Sequence, residues 1–184
     1  MLLKDQHGIH IEFLVWYRDM AFIGIKVPQE VAEKLSTIEV PGERSDPDEM
    51  HITLLYLGET SLANIIKAVA VVAAMAQKTK PFLIGCAFKT CFPENPDDGV
   101  PIIARVQSPT IMGLQEELKK LMKESGVEYK DKYPDFKPHV TLSYSNEPCD
   151  GLGFEPVVWT VESINVWGGK EMDDMMVTSI ELNG

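Results

Sequence analysis

Two segments of the chain repeat one pattern, and this repeat constrains the fold more than any other feature. The segments are Met-His-Ile-Thr-Leu-Leu-Tyr at 50–56 and Pro-His-Val-Thr-Leu-Ser-Tyr at 138–144. They share His, Thr, Leu and Tyr in register. With four histidines and nine threonines in 184 residues, only about 0.2 His-x-Thr matches are expected by chance, so the repeat indicates two related structural units.

Each repeat has the composition of a β-strand, so its side chains can be assigned to two faces. Alternate residues of a strand share a face and lie about 7 Å apart. His51 and Thr53 are therefore predicted to point one way. The opposite, core-facing side is predicted to hold three residues: Ile52, Leu54 and Tyr56. The second repeat predicts the same arrangement.

The shared polar face suggests phosphodiester chemistry. Cleavage needs a base for the attacking oxygen and an acid for the leaving oxygen, and an imidazole with a pKa near 6.5 serves as either at neutral pH. His51 and His139 are therefore the candidate catalytic residues. The hydroxyls of Thr53 and Thr141 can donate to the non-bridging phosphate oxygens. This division of labour needs neither a metal nor another cofactor.

The net charge limits the length of the substrate. It is −11, with a pI near 4.8, which argues against a long nucleic-acid duplex because lysines and arginines must neutralise its phosphates. A small nucleotide or short oligonucleotide needs only a local group of donors. We expect a monomer acting on such a ligand.

Cysteine content and hydropathy suggest a compartment. The three cysteines are odd in number and form no C-x-x-C pair, which argues against a disulfide framework and a thiolate zinc site and favours a reducing cytoplasm. Acidic residues near the N-terminus do not fit an export signal. The most apolar stretch, 62–76, is shorter than a membrane span, so no membrane partner is expected.

The order of strand and helix signals predicts an α+β fold. Residues 9–17 are predicted to form a first strand or a docked extension, and 145–156 a turn region. Helices are predicted at 28–36, at 62–76 after the capping residue Ser61, and from Ser108 to Gly126. Strands are predicted at 20–27, 50–57, 82–92, 100–107, 138–144, 157–167 and 174–182. Two antiparallel-rich sheets would face each other across a central cleft, with helices outside.

The paired His-x-Thr strands, 88 positions apart, resemble the motifs of the 2H phosphoesterase superfamily. The Phe-Lys-Pro-His-Val-Thr-Leu run at 136–142 and the Glu-Ser pair at 162–163 are similar to LigT-like members. The resemblance covers the chain from Met20 onward and implies a bilobal, pseudo-twofold fold. Residues 1–184 are then one domain, with 1–19 as an N-terminal extension.

This resemblance also implies an activity. Superfamily members attack 2′,3′-cyclic phosphates, 2′-5′ linkages or cyclic oligonucleotides, and some phage-encoded relatives degrade cyclic-nucleotide immune signals. The motif positions match at His51, Thr53, His139 and Thr141. Neither repeat distinguishes the acid from the base.

Further residues are weaker candidates for substrate binding. Lys137 precedes the second motif and could face phosphate or solvent, and Glu162 could orient a neighbouring residue or pack at a strand margin. Trp167, followed by two glycines, is the best candidate for stacking on a base. Trp159, Tyr133 and Phe92 could also stack, although core packing is the commoner role of such residues. His7 and His10 lack the following Thr and are predicted to be non-catalytic.

Three alternatives to a metal-independent hydrolase remain open. One is a nucleotide-binding module that sequesters its ligand without turnover. Another is RNA 2′-5′ ligase-like activity. The third is a metallohydrolase that uses the histidines with Asp46 or Asp48, although the ligand spacing is irregular.

Overall fold

The computed structural model describes residues 19–93, 99–131, 135–169 and 176–184. The segment predicted at 9–17, with His7, His10 and Tyr133, lies outside the described residues. The strands are β1 (Asp19–Lys26), β2 (Glu43–Arg44), β3 (His51–Thr60), β4 (Phe82–Cys91), β5 (Val100–Gln107), β6 (His139–Ser145), β7 (Leu152–Val161), β8 (Ser163–Gly169) and β9 (Met176–Glu181). The helices are α1 (Gln29–Ser36), α2 (Leu62–Ala76) and α3 (Pro109–Glu124), and Pro47–Glu49 forms a 3-10 turn.

The strands form two antiparallel sheets, which confirms the predicted α+β class. The first sheet has the order β3-β1-β8-β9, and the second has the order β2-β6-β5-β4-β7. Strands β3 and β6 contact each other, so the two repeats meet where the sheets adjoin. Apolar residues of both sheets and all three helices form one buried cluster.

Helices α2 and α3 begin and end where the capping signals predict. The Ser61 hydroxyl accepts a hydrogen bond from the Asn64 amide, and the Ser108 hydroxyl accepts one from the Ile111 amide. These caps satisfy backbone donors that lack partners in the first helical turn. Gly126, with φ 63°, follows the end of α3. Among the described residues, no helix combines the length and the apolarity needed to cross a bilayer.

The strand predicted at 157–167 is wrong because the chain changes sheets within it. β7 pairs with β4 in the second sheet, whereas β8 pairs with β1 in the first. Glu162 separates the two strands, and its carbonyl accepts a hydrogen bond from the Leu182 amide. The composition of this segment cannot reveal such a crossing, because both halves are rich in strand-forming residues.

The turn predicted at 145–156 is also partly wrong, because β7 already begins at Leu152. Glycine and proline in this segment favoured a turn. However, β7 is the edge strand of its sheet, where a proline without an N–H is tolerated. Similarly, β3 continues past Gly58, which adopts φ 75°, to Thr60.

The two repeats occupy equivalent strand–helix–strand units. β1, α1 and β3 form one unit, and β5, α3 and β6 form the other; in each, the two strands pair antiparallel. Both pairs contain a β-bulge at the Leu of the motif. Leu54 has no partner between the Thr53 and Leu55 pairings, and Leu142 has none between the Thr141 and Ser143 pairings.

These bulges overturn the predicted orientation of Tyr56. Two adjacent residues at a bulge turn to the same side, and Leu54 and Leu55 are both buried. Tyr56 then returns to the face of Thr53, where it pairs with Phe22. In the second repeat, Tyr144 is 41% exposed for the same reason. The predicted directions of Ile52 and Leu54 are confirmed.

Candidate active site

His51 and His139 are the first residues of β3 and β6, and they are oriented in the same way. In each ring, Nδ1 lies 2.7 Å from the carbonyl oxygen two residues earlier, which belongs to Glu49 for His51 and to Lys137 for His139. A carbonyl can only accept, so Nδ1 carries the proton. In the neutral ring, Nε2 is therefore the proton acceptor in both repeats.

Burial lowers the pKa of both imidazoles below the ordinary value of 6.5, because a partly desolvated site disfavours the charged form. The hydrogen bond to the backbone opposes this effect in each case. The surrounding charges differ: the Glu49 carboxylate raises the pKa of His51, whereas the charge of His51 lowers the pKa of His139. This interaction is consistent with the contact between β3 and β6, the strands on which the two rings lie.

Thr53 and Thr141 share the faces of the two histidines and are half-buried. The residue paired with Thr53 is Gly24. A Cβ at Gly24 would lie 2.5 Å from the Ile52 carbonyl oxygen and 3.3 Å from the Trp167 ring. Only glycine therefore fits here, and it lets the Trp167 ring approach the backbone beside Thr53.

Aromatic rings border both histidines. Phe22 stacks on Trp167 with ring centroids 4.6 Å apart, and the His51 ring lies 4.8 Å from Phe22 and 5.6 Å from Trp167. On the other side, the edge of Phe92 meets His139 at 4.7 Å. Sequence reasoning missed Phe22. The alternation of β1 indicates its face, but pairing with β3 is needed to bring it to His51.

The weaker candidates lie in different places. The Lys137 carbonyl accepts the hydrogen bond from the His139 ring. Lys137 also lines a pocket of about 510 Å³ beside α3. Glu162 is exposed, and together with Lys26 it lines a second pocket of about 530 Å³. Trp159 is buried in the core, as expected.

Asp46 and Asp48 are joined by a hydrogen bond at the 3-10 turn. The Asp46 carboxylate accepts a hydrogen bond from the Asp48 amide and caps the 3-10 turn before His51. Within the described ranges, no group of three or more His, Cys, Asp or Glu side chains is arranged to hold a metal ion.

Comparison with protein families gives a match over most of the chain. The model of the 2′-5′ RNA ligase superfamily matches residues 27–171, which include both histidine strands. The chain belongs to this superfamily. The predicted relation to the 2H phosphoesterases is thereby confirmed.

Solved structures share the fold of this superfamily member at low sequence identity. The protein TT0787 of Thermus thermophilus has a TM-score of 0.72 and 22% identity, covering 90% of this chain and 98% of that protein. E. coli LigT complexed with 3′-AMP has a TM-score of 0.66 and 18% identity, covering 89% and 96% respectively. A search among curated proteins found no match.

Proposed function

We propose that the chain is a metal-independent phosphodiesterase in which His51 and His139 act as general acid and base. The observation that carries this proposal is their equivalent geometry. Each ring donates Nδ1–H to a backbone carbonyl two residues earlier and leaves Nε2 to exchange a proton. A threonine follows on the same face of each strand.

The reaction requires two proton transfers. Nε2 of the neutral imidazole removes a proton from the attacking oxygen of water, and this oxygen forms a bond to phosphorus. The bond from phosphorus to the leaving oxygen breaks, and Nε2 of the imidazolium protonates that oxygen. Hydrogen bonds from Thr53 and Thr141 to the non-bridging oxygens stabilise the charge of the transition state.

The unequal charges around the two rings favour His51 as the acid and His139 as the base. The negative charge of Glu49 favours an imidazolium at His51. Once His51 is charged, it disfavours a second imidazolium at His139. On these two directions we assign the imidazolium of the active form to His51.

The proposed substrate is a small nucleotide phosphodiester: a 2′,3′-cyclic phosphate, a 2′-5′ linkage or a cyclic oligonucleotide of the kind used as an immune signal. The acidic chain favours a short ligand, and E. coli LigT has been solved with 3′-AMP, NADP+ and ATP. Trp167, which is 9% exposed and stacks on the buried Phe22, remains a proposed contact beside His51, as do Glu162 and Lys137. Ligation is the second candidate, because the matched family is named for it. The same base can deprotonate a ribose hydroxyl in place of water, and the same acid can protonate the oxygen that leaves when a 2′,3′-cyclic phosphate opens.

A nucleotide panel tests the proposal. The purified chain is incubated with 2′,3′-cyclic mononucleotides, 2′-5′ oligoadenylate and cyclic dinucleotides, with and without EDTA. We expect cleavage of at least one compound at a rate that EDTA leaves unchanged. Tight binding without product would instead favour a sequestering module. Loss of activity in EDTA that is restored by a divalent cation would contradict the metal-independent mechanism.

The dependence of kcat/KM on pH should be bell-shaped, with its maximum below pH 6.5. The active form carries one proton on the histidine pair, and burial lowers the pKa of both rings. Activity should therefore fall as pH rises above the higher pKa, because His51 loses its proton. It should also fall at the acidic end, because His139 gains one.

The measurement is kcat/KM between pH 4.5 and 9, on the order of ten points, with a substrate that does not titrate in this range. Thermal melting at each pH checks that the chain stays folded. A profile that rises steadily up to pH 9 would contradict a catalytic imidazolium.

A further inference from the structure

Two cations occupy equivalent positions beside the histidines. In the β1–β3 pair, Lys26 lies directly opposite His51, and in the β5–β6 pair, Arg105 lies directly opposite His139. Directly opposed residues on antiparallel strands share a face, with Cβ atoms roughly 5 Å apart. Each half of the site therefore has one imidazole and one neighbouring positive charge.

Both cations lie on the polar faces of their sheets and extend into solvent. In β1, Ile23 and Ile25 are buried in the core, so Lys26 lies on the opposite face. Lys26 and Arg105 are exposed, and neither forms an ion pair with another described residue. This contrasts with Arg44, whose guanidinium donates to the carbonyls of Ser36, at the end of α1, and of Ile38.

Lys26 also borders a space large enough for part of a ligand. The pocket of about 530 Å³ has both apolar and polar residues in its lining, and the polar ones include Gln29, Asn165 and Ser179. Asn165 is 3% exposed, and its side-chain oxygen accepts a hydrogen bond from the Lys26 amide, which fixes this corner of the pocket. Pockets of this size commonly hold a small molecule.

We propose that Lys26 and Arg105 bind the phosphates on either side of the scissile phosphate. The preferred substrate is then a nucleotide chain or ring with several phosphates, rather than a nucleoside 2′,3′-cyclic monophosphate. The nucleoside next to the phosphate at Lys26 would occupy the adjacent pocket. This inference rests on the proposed phosphodiesterase activity and narrows its substrate class.

The positions of the cations favour flanking phosphates over the scissile one. The scissile phosphate must lie between the two Nε2 atoms and within reach of the threonine hydroxyls. Lys26 and Arg105 lie one strand away from the histidines, on β1 and β5, and so border the centre on both sides. In a chain of net charge −11, such local cations offset the repulsion of a multiply charged substrate.

Two substrates separate these roles. The first is a 2′-5′-linked adenylate trimer with a 5′-phosphate, and the second is 2′,3′-cyclic AMP. For Lys26→Gln and Arg105→Gln, we expect kcat/KM on the trimer to fall about 10-fold, as for a lost charge-assisted hydrogen bond. On 2′,3′-cyclic AMP, kcat/KM of each variant should stay within about twofold of that of the unmodified chain, because this substrate has no flanking phosphate. Lys67→Gln, at an exposed position on α2, is the charge-matched control for both substrates.

Salt dependence provides a second readout that a merely structural role would not change. On the trimer, the slope of log kcat/KM against log salt concentration should become shallower by about 0.7 in each variant, as for one lost phosphate contact on a single strand. Equal losses on both substrates, or no loss on the trimer, would overturn the inference. Cleavage of 2′,3′-cyclic AMP alone would also overturn the inference, while leaving the proposed function intact. A chain that cleaves no compound of the nucleotide panel, cyclic dinucleotides included, would contradict the proposed function itself.

Discussion

Replacing His139 or His51 by alanine is expected to lower kcat about 10³-fold on any substrate that the unmodified chain cleaves. Each variant removes one of the two proton transfers, and general acid–base catalysis typically contributes about 10²- to 10⁴-fold. The double variant should lose much less than the product of the two single losses, since the pair acts as a unit.

The control for these variants is His10→Ala, at a histidine that lies outside both motifs. It should leave kcat unchanged, and thermal melting of all variants should show cooperative unfolding. If His51→Ala and His139→Ala both retain the unmodified rate, the proposed mechanism is wrong.

The single variants also assign the two roles. With His51 as acid, His51→Ala should abolish the alkaline limb of the pH profile of kcat/KM and leave the acidic limb. His139→Ala should do the opposite. A leaving group with a low pKa, such as p-nitrophenol, needs no acid, so such a substrate should recover most of the activity of His51→Ala only. The reverse pattern would exchange the roles.

Local sequence signals were sufficient to predict much of the fold and the centre of the site. The cap residues Ser61 and Ser108 defined the starts of two helices, because a cap acts within a single turn. The shared face of His51 and Thr53 followed from the period of a strand. Both features depend on neighbours in sequence.

Features that depend on a partner strand were not predictable. The bulges at Leu54 and Leu142 exist only relative to β1 and β5, and they turned Tyr56 and Tyr144 away from the predicted face. Pairing likewise brought Phe22 to His51.

The sequence does contain a signal for the two cations, Lys26 and Arg105, although the motifs alone do not reveal it. Lys26 and Arg105 lie on the strands that precede the helices before each His-x-Thr strand. Aligning the two strand–helix–strand units, rather than the motifs alone, would have matched these residues. The helices differ in length, however, with 8 residues in α1 and 16 in α3, so the alignment needs the strand register.

The threonines should be the next most sensitive positions. Thr53→Val and Thr141→Val remove one hydroxyl with almost no change in shape, and each should lower kcat about 10²-fold with little change in KM, as expected when a donor acts mainly in the transition state. Thr→Ser at either position keeps the hydroxyl and should restore most of the rate. The matched control is Thr178→Val, at an exposed position on β9, which should be silent. If valine instead raises KM at unchanged kcat, the hydroxyl binds the ground state as tightly as the transition state and does not assist the chemical step.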